Sequence, residues 1–135
     1  MLKFFMLDVV DVAPARASGP DTGFYLLLAG TILAEAGIMY LMRYNAFLRA
    51  LLHSLLANLA SLALGFLLIE VMPGFFSRYS FLNLATLMVI TILAELPVLY
   101  LLNRTKPLKS TALVCVVMNI VSYILFYLYI TLFTG

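Results

Sequence analysis

The stretch TILAEAGIMYLM, Thr31 to Met42, sets one glutamate, Glu35, inside an apolar run, and TILAELPVLYLL, Thr91 to Leu102, does the same with Glu95. At an offset of 60 residues the first eleven positions match at seven: Thr, Ile, Leu, Ala, Glu, Tyr and Leu. Leucine matches carry little weight in so greasy a chain, but Thr, Glu and Tyr do. After a shift of one residue a second match follows, Asn58 to Ser61 (NLAS) against Asn119 to Ser122 (NIVS). The pattern predicts two tandem copies of a helical hairpin. Both copies start on the same side of a membrane, so they are parallel repeats about an axis along the membrane normal.

Composition sets the solvent. The chain is 65% hydrophobic and 10% charged, with no Trp and a mean hydropathy of +1.13, against roughly 25% charged residues in globular domains. Four apolar segments, Phe24 to Met42, Leu51 to Met72, Phe81 to Leu102 and Thr111 to Phe133, each have the roughly 20 residues of a spanning helix. The expected fold is an all-α integral membrane protein: a four-transmembrane-helix bundle with a short N-terminal amphipathic helix. Residues 1–21 form the tail and hinge, 22–73 the first hairpin and 74–135 the second.

Arg43 and Arg49 flank the first turn, and Arg104, Lys106 and Lys109 fill the third; Lys3, Arg16 and Arg78 lie on the other side. The positive-inside rule then puts the first and third turns in the cytoplasm and both termini outside, as in a bacterial cytoplasmic membrane. The five basic residues of these turns can also hold anionic lipid head groups, although topology alone accounts for them. In the tail, Leu2, Phe5, Met6, Val9 and Val10 recur at helical spacing, with Asp8 and Asp11 off the stripe. Those aspartates argue against a secretory signal. They leave an interfacial helix, a surface that docks a partner protein, or a disordered tail.

Folding each hairpin at its basic turn pairs residues by depth: Glu35 with Asn58, Thr31 with Ser61 and Met39 with Ser54; then Glu95 with Asn119, Thr91 with Ser122 and Leu99 with Cys115. Thr31 and Glu35 share a helix face, as do Thr91 and Glu95 and the series Asn58, Ser61 and Asn119, Ser122. Glu35 lies eight residues from Arg43, about 12 Å of helix rise and well inside a hydrocarbon layer of about 30 Å. A charged carboxylate there is costly, so a protonated acid paired to asparagine is expected. Gly37 and Pro97 sit two residues past each glutamate as helix disruptors. Interrupted helices at matching positions point to a transporter's binding site, whereas the plain reading is a packing angle.

His53 reads as a satisfied interfacial histidine, with no metal-ligand cluster beside it. No cofactor or metal site, nucleophile motif or phosphate loop is present in the sequence. That argues against an enzyme, and a net charge of +2 is too small to suggest nucleic acid. Two functions are expected. The first is a non-catalytic structural or accessory subunit of a larger membrane complex, whose partners are the lipid bilayer and other membrane proteins. The second is a homo-oligomeric proton-coupled transporter or channel working through Glu35 and Glu95.

Overall fold

The computed structural model describes residues 22–71 and 81–133, and all of it is helix and turn. The expected amphipathic tail and the turn holding Arg78 lie outside the described residues. Four helices follow in order: α1 (Thr22–Leu41), α2 (Phe47–Val71), α3 (Phe81–Leu102) and α4 (Leu108–Phe133). The principal packing is α1 on α2, α2 on α3, α3 on α4 and α4 back on α1, so the helices form a ring.

Three helices are long and apolar enough to cross a membrane: Phe47–Leu68, Leu84–Leu102 and Leu108–Leu128. In α1 the apolar stretch Tyr25–Leu41 is shorter. The polarity of the ring is the reverse of a water-soluble bundle. Leu26, Leu41, Leu48, Leu67 and Leu93 are exposed, while Glu35, Ser54, Asn58, Glu95, Asn119 and Ser122 are buried. Apolar surface on that scale needs lipid around it, and the protein is an integral membrane protein.

The helices α2 and α4 begin about one turn before their apolar runs. Arg49, Lys109 and Ser110 are exposed in those first turns, so their polarity does not interrupt helix formation. The carbonyls of Ala46 and Pro107 accept the opening bonds, from Ala50 at 2.9 Å and from Ser110 and Thr111 at 3.0 and 3.1 Å. At the end of α1 the amide of Tyr44 donates to the Met39 carbonyl (2.8 Å) and that of Arg43 to the Tyr40 carbonyl (2.9 Å). This is a Schellman cap with buried Met39 and Tyr44 as its apolar pair. Its left-handed position, usually glycine, is held by Arg43 at φ 53°. The end of α3 is capped by a side chain instead: the Asn103 amide donates to the Leu99 carbonyl at 3.0 Å.

Both α1 and α3 are helical without a break through Gly37 and Pro97. Pro97 faces outward, and a Cβ added at Gly37 would meet nothing within 4 Å. Neither residue marks an unwound segment.

Candidate functional site

The buried polar residues gather in two places. Near the basic end, the His53 imidazole Nδ1 accepts from the amides of Asn45 (3.1 Å) and Asn103 (3.0 Å). With Nδ1 as acceptor, the ring proton of the neutral imidazole sits on Nε2. His53 therefore ties the first turn to the third, a link that neither hairpin alone reveals. Beside it the Tyr44 and Thr111 hydroxyls share a bond of 2.7 Å, and the Lys106 ammonium sits 4.0 Å from the centre of the Tyr44 ring. Burial pushes the Tyr44 phenol up, against the opposing bond to Thr111; burial and then the nearby Arg49 push the Lys106 ammonium down. Arg43, Arg49, Arg104 and Lys109 are exposed around this end.

Below that layer Met39, Leu99 and Met118 are completely buried and, with Ala50, Ala57 and Cys115, fill the centre of the ring. They close the basic end by packing.

The second polar cluster contains the two glutamates. The Glu35 carboxylate accepts from the Ser54 hydroxyl (2.8 Å) and the Asn58 amide, both on α2, and from the Ser122 hydroxyl on α4 (2.9 Å). Glu95 on α3 accepts from the Asn119 amide on α4 (2.8 Å) and the Ser61 hydroxyl on α2 (2.9 Å). Each glutamate thus meets the asparagine of its own hairpin and a serine of the other. The asparagine and crossed-serine contacts of the two glutamates correspond, whereas the Ser54 bond to Glu35 has no counterpart at Cys115, whose thiol approaches the Ile92 carbonyl at 3.8 Å as Ser54 approaches the Ile32 carbonyl at 3.2 Å.

The crossing of the serines is what depth matching within a hairpin does not contain. Matching by depth sets Ser61 beside Thr31 and Ser122 beside Thr91, whereas the ring turns both serines onto the opposite hairpin's glutamate. The Thr91 hydroxyl instead bonds the Tyr123 phenol at 3.0 Å, and Thr31 lines the cavity described below. Both carboxylates belong to residues that line one cavity.

Helix geometry fixes the amide orientations. The Asn58 and Asn119 nitrogens each also donate to a backbone carbonyl one turn earlier, Ser54 and Cys115, both at 3.0 Å. A carbonyl can only accept, so each amide presents its nitrogen to the glutamate. The serines are less committed. Ser54 also lies within bonding distance of the Ile32 carbonyl, and Ser61 within 3.1 Å of the Asn58 carbonyl. Each hydroxyl has one proton, so it can donate to the carboxylate or turn to the backbone and accept from a carboxylic acid. Every glutamate therefore has a partner for either protonation state. No lysine, arginine or histidine pairs with either carboxylate among the described residues.

An open cavity of about 220 Å³ begins at this layer. On every helix its lining runs from the glutamate layer away from the basic turns: Leu28 and Thr31 before Glu35, Ser61 and Gly65 after Asn58, Leu87 and Thr91 before Glu95, Tyr123 and Phe126 after Asn119. The carboxylates are the floor of a chamber that extends toward one end of the ring only. Within this layer the buried Asn119 Oδ1 has no hydrogen-bond partner among the described residues. No cluster of three or more His, Cys, Asp or Glu side chains that could hold a metal occurs among the described residues.

The fold and this site define a polytopic helical membrane protein with a paired-carboxylate chamber. No protein-family model, curated protein or solved structure matches the chain.

Proposed function

We propose that this protein is a small proton-coupled transporter in which Glu35 and Glu95 form one shared site that exchanges protons with its substrate. On this reading all four helices span the bilayer as two parallel hairpins. The 20 residues of α1 give a rise of about 30 Å, enough for a thin or matched hydrocarbon layer. The basic turns face the cytoplasm and the chamber faces the opposite side.

One observation carries the reading: two carboxylates with no basic partner among the described residues line one open chamber. A buried carboxylate pair with no cation beside it among the described residues needs protons or a cationic ligand to balance it. The serines supply the means, because Ser54 and Ser61 can each switch between donating and accepting as a proton arrives or leaves. A polar layer that served only to hold an accessory subunit together needs the hydrogen bonds but no chamber. Nor does it need two like charges at one place, since a hydrogen-bonded Asn or Ser pair would join the helices without them.

The test is protonation of the whole chain reconstituted in liposomes. The infrared carboxyl stretch should respond to pH, and an imposed proton gradient should drive proton movement that Glu35→Gln with Glu95→Gln abolishes. A carboxyl signal that stays constant across the accessible pH range, with no proton movement, removes the reading.

A further inference from the structure

We propose that Ser61 is the proton port of the chamber: its hydroxyl carries protons between chamber water and Glu95, and Glu35 has no port of its own. The inference rests on the proton-exchange reading of the site and names the residue through which exchange runs.

Both residues line the chamber, yet Glu35 is 1% and Glu95 0% exposed. A proton therefore reaches either carboxylate through a neighbour that touches both it and water. Among the described residues, the neighbours hydrogen-bonded to the pair are Ser54, Asn58 and Ser122 at Glu35, and Ser61 and Asn119 at Glu95. Ser54, Asn58, Ser122 and Asn119 are buried, whereas Ser61 is half-buried and lines the chamber. Chemistry makes the same selection against the asparagines. An amide holds its protons too tightly to pass them on, but a hydroxyl can accept one proton while giving up another.

Ser61 and Ser122 hold matching places in the two hairpins, and the wall beside them explains why one is open. In the register that sets NLAS on NIVS, Leu62 and Gly65 of α2 correspond to Tyr123 and Phe126 of α4. All four line the chamber. The Tyr123 and Phe126 rings, 6.1 Å apart, add bulk on the Ser122 side. Gly65 lies one helical turn from Ser61 on the same face, and a Cβ added there would meet nothing within 4 Å. The titratable side chains that share the layer with Glu95 are Glu35 on α1 and Cys115 and Tyr123 on α4. Tyr123 is not a second port, because its phenol bonds Thr91 and neither glutamate.

On uptake the Ser61 hydroxyl donates to Glu95 Oε1 at 2.9 Å. Hydronium in the chamber gives a proton to Ser61 Oγ as the original hydroxyl proton moves to Glu95 Oε1. One O–H bond breaks on hydronium and one on serine, one forms on serine and one on the glutamate, and water and a carboxylic acid remain. The new hydroxyl proton can rest on the Asn58 carbonyl, 3.1 Å away. An Oγ lone pair then faces the acid, ready for the reverse transfer on release.

The purified full chain in mild detergent is taken through a rapid pH drop, and the infrared carboxyl band is followed in time and at equilibrium. Ser61→Thr keeps the hydroxyl, and Ser61→Val replaces it by a methyl in nearly the same volume. In Ser61→Val the band should still titrate at equilibrium, but its rise should slow about a hundredfold, the low end of what a positioned proton-transfer group contributes. Ser61→Thr should stay near the parent rate, a rescue that a merely structural role in shape would not separate from Ser61→Val. Ser122→Val should slow the rise less than Ser61→Val. Gly65→Phe, which leaves the serine in place and fills the space beside it, should also slow the rise in protein that circular dichroism shows to be folded. The parent rate in folded Ser61→Val or Gly65→Phe overturns the port, and so does slowing by Ser122→Val as large as by Ser61→Val. Each of these results leaves the parent's carboxyl titration intact, so it is distinct from failure of the proton-exchange reading, in which the parent's band does not respond to pH.

Discussion

The Ser122 hydroxyl on the last helix donates to the Glu35 carboxylate on the first at 2.9 Å, across 87 residues of chain. Its counterpart is the Ser61 bond to Glu95, and these two bonds join the hairpins through the glutamates. Interhelical hydrogen bonds in membranes contribute about 0.6 kcal/mol on average. Ser122→Ala and Ser61→Ala should each lower stability by about that amount, measured by denaturant unfolding in micelles, and the pair should lower it further. If either serine matters several times more than the other, the two crossings are not equivalent.

Replacing the glutamates by glutamine tests the same geometry differently. Each glutamate uses both oxygens as acceptors, so a glutamine must set its NH₂ against a group that can reverse. Only the serines can do so, because both asparagine nitrogens are pinned by backbone carbonyls. Glu95→Gln should therefore fold with its amide nitrogen toward Ser61, and combining it with Ser61→Cys, a weaker acceptor, should cost more than the two single changes together. A double-mutant cycle reads the coupling; strict additivity would argue against the reversal.

Arg43 occupies a left-handed position at φ 53°, which costs an ordinary residue about 1 kcal/mol that glycine avoids. Arg43→Gly should raise the unfolding midpoint of the purified protein. In cells it should weaken the topology signal of the first turn, detectable by cysteine labelling from the two sides.

Gly37 and Pro97 are expected to tolerate change. Gly37→Ala meets open space and gains up to about 1 kcal/mol of helix preference. Pro97→Leu places an apolar side chain on an exposed face and restores an amide for the Leu93 carbonyl. Both variants should match or exceed the stability of the parent and keep its proton exchange. A large loss of exchange in either would restore the helix disruptors to the mechanism.

The Tyr44 phenol is pushed up by burial, so the fold prefers it protonated. The sign follows directly: this contribution is fully present below the unfolded value near 10 and is lost as pH rises through the higher folded value. Unfolding midpoints should therefore fall above about pH 10, and Tyr44→Phe should remove part of that fall while giving up the Thr111 bond at lower pH.

The helical architecture and the glutamate-asparagine pairs are legible in the sequence because both follow from local facts: apolar run length, the offset of 60 residues between two glutamates, and depth counted from a basic turn. The crossed serines are not. They depend on how one hairpin rotates against the other, and a spacing pattern within a helix fixes only the face a residue shares. The His53 link to Asn45 and Asn103 is hidden for the same reason, since it joins two turns whose distance apart is set by the whole ring. Asn119 gives no sign in sequence that its oxygen will be stranded.

The crossed contacts also govern how the protein is made. Chains emerge amino-terminus first, and α4 supplies Ser122 to Glu35 as well as Asn119 to Glu95. A nascent chain that has inserted only three helices leaves Glu35 without its Ser122 bond and Glu95 without its Asn119 bond, and α4 supplies both. The first hairpin therefore reaches its full set of contacts only when α4 joins the ring, and a product truncated at the third turn should be more exposed to membrane proteases than the whole chain.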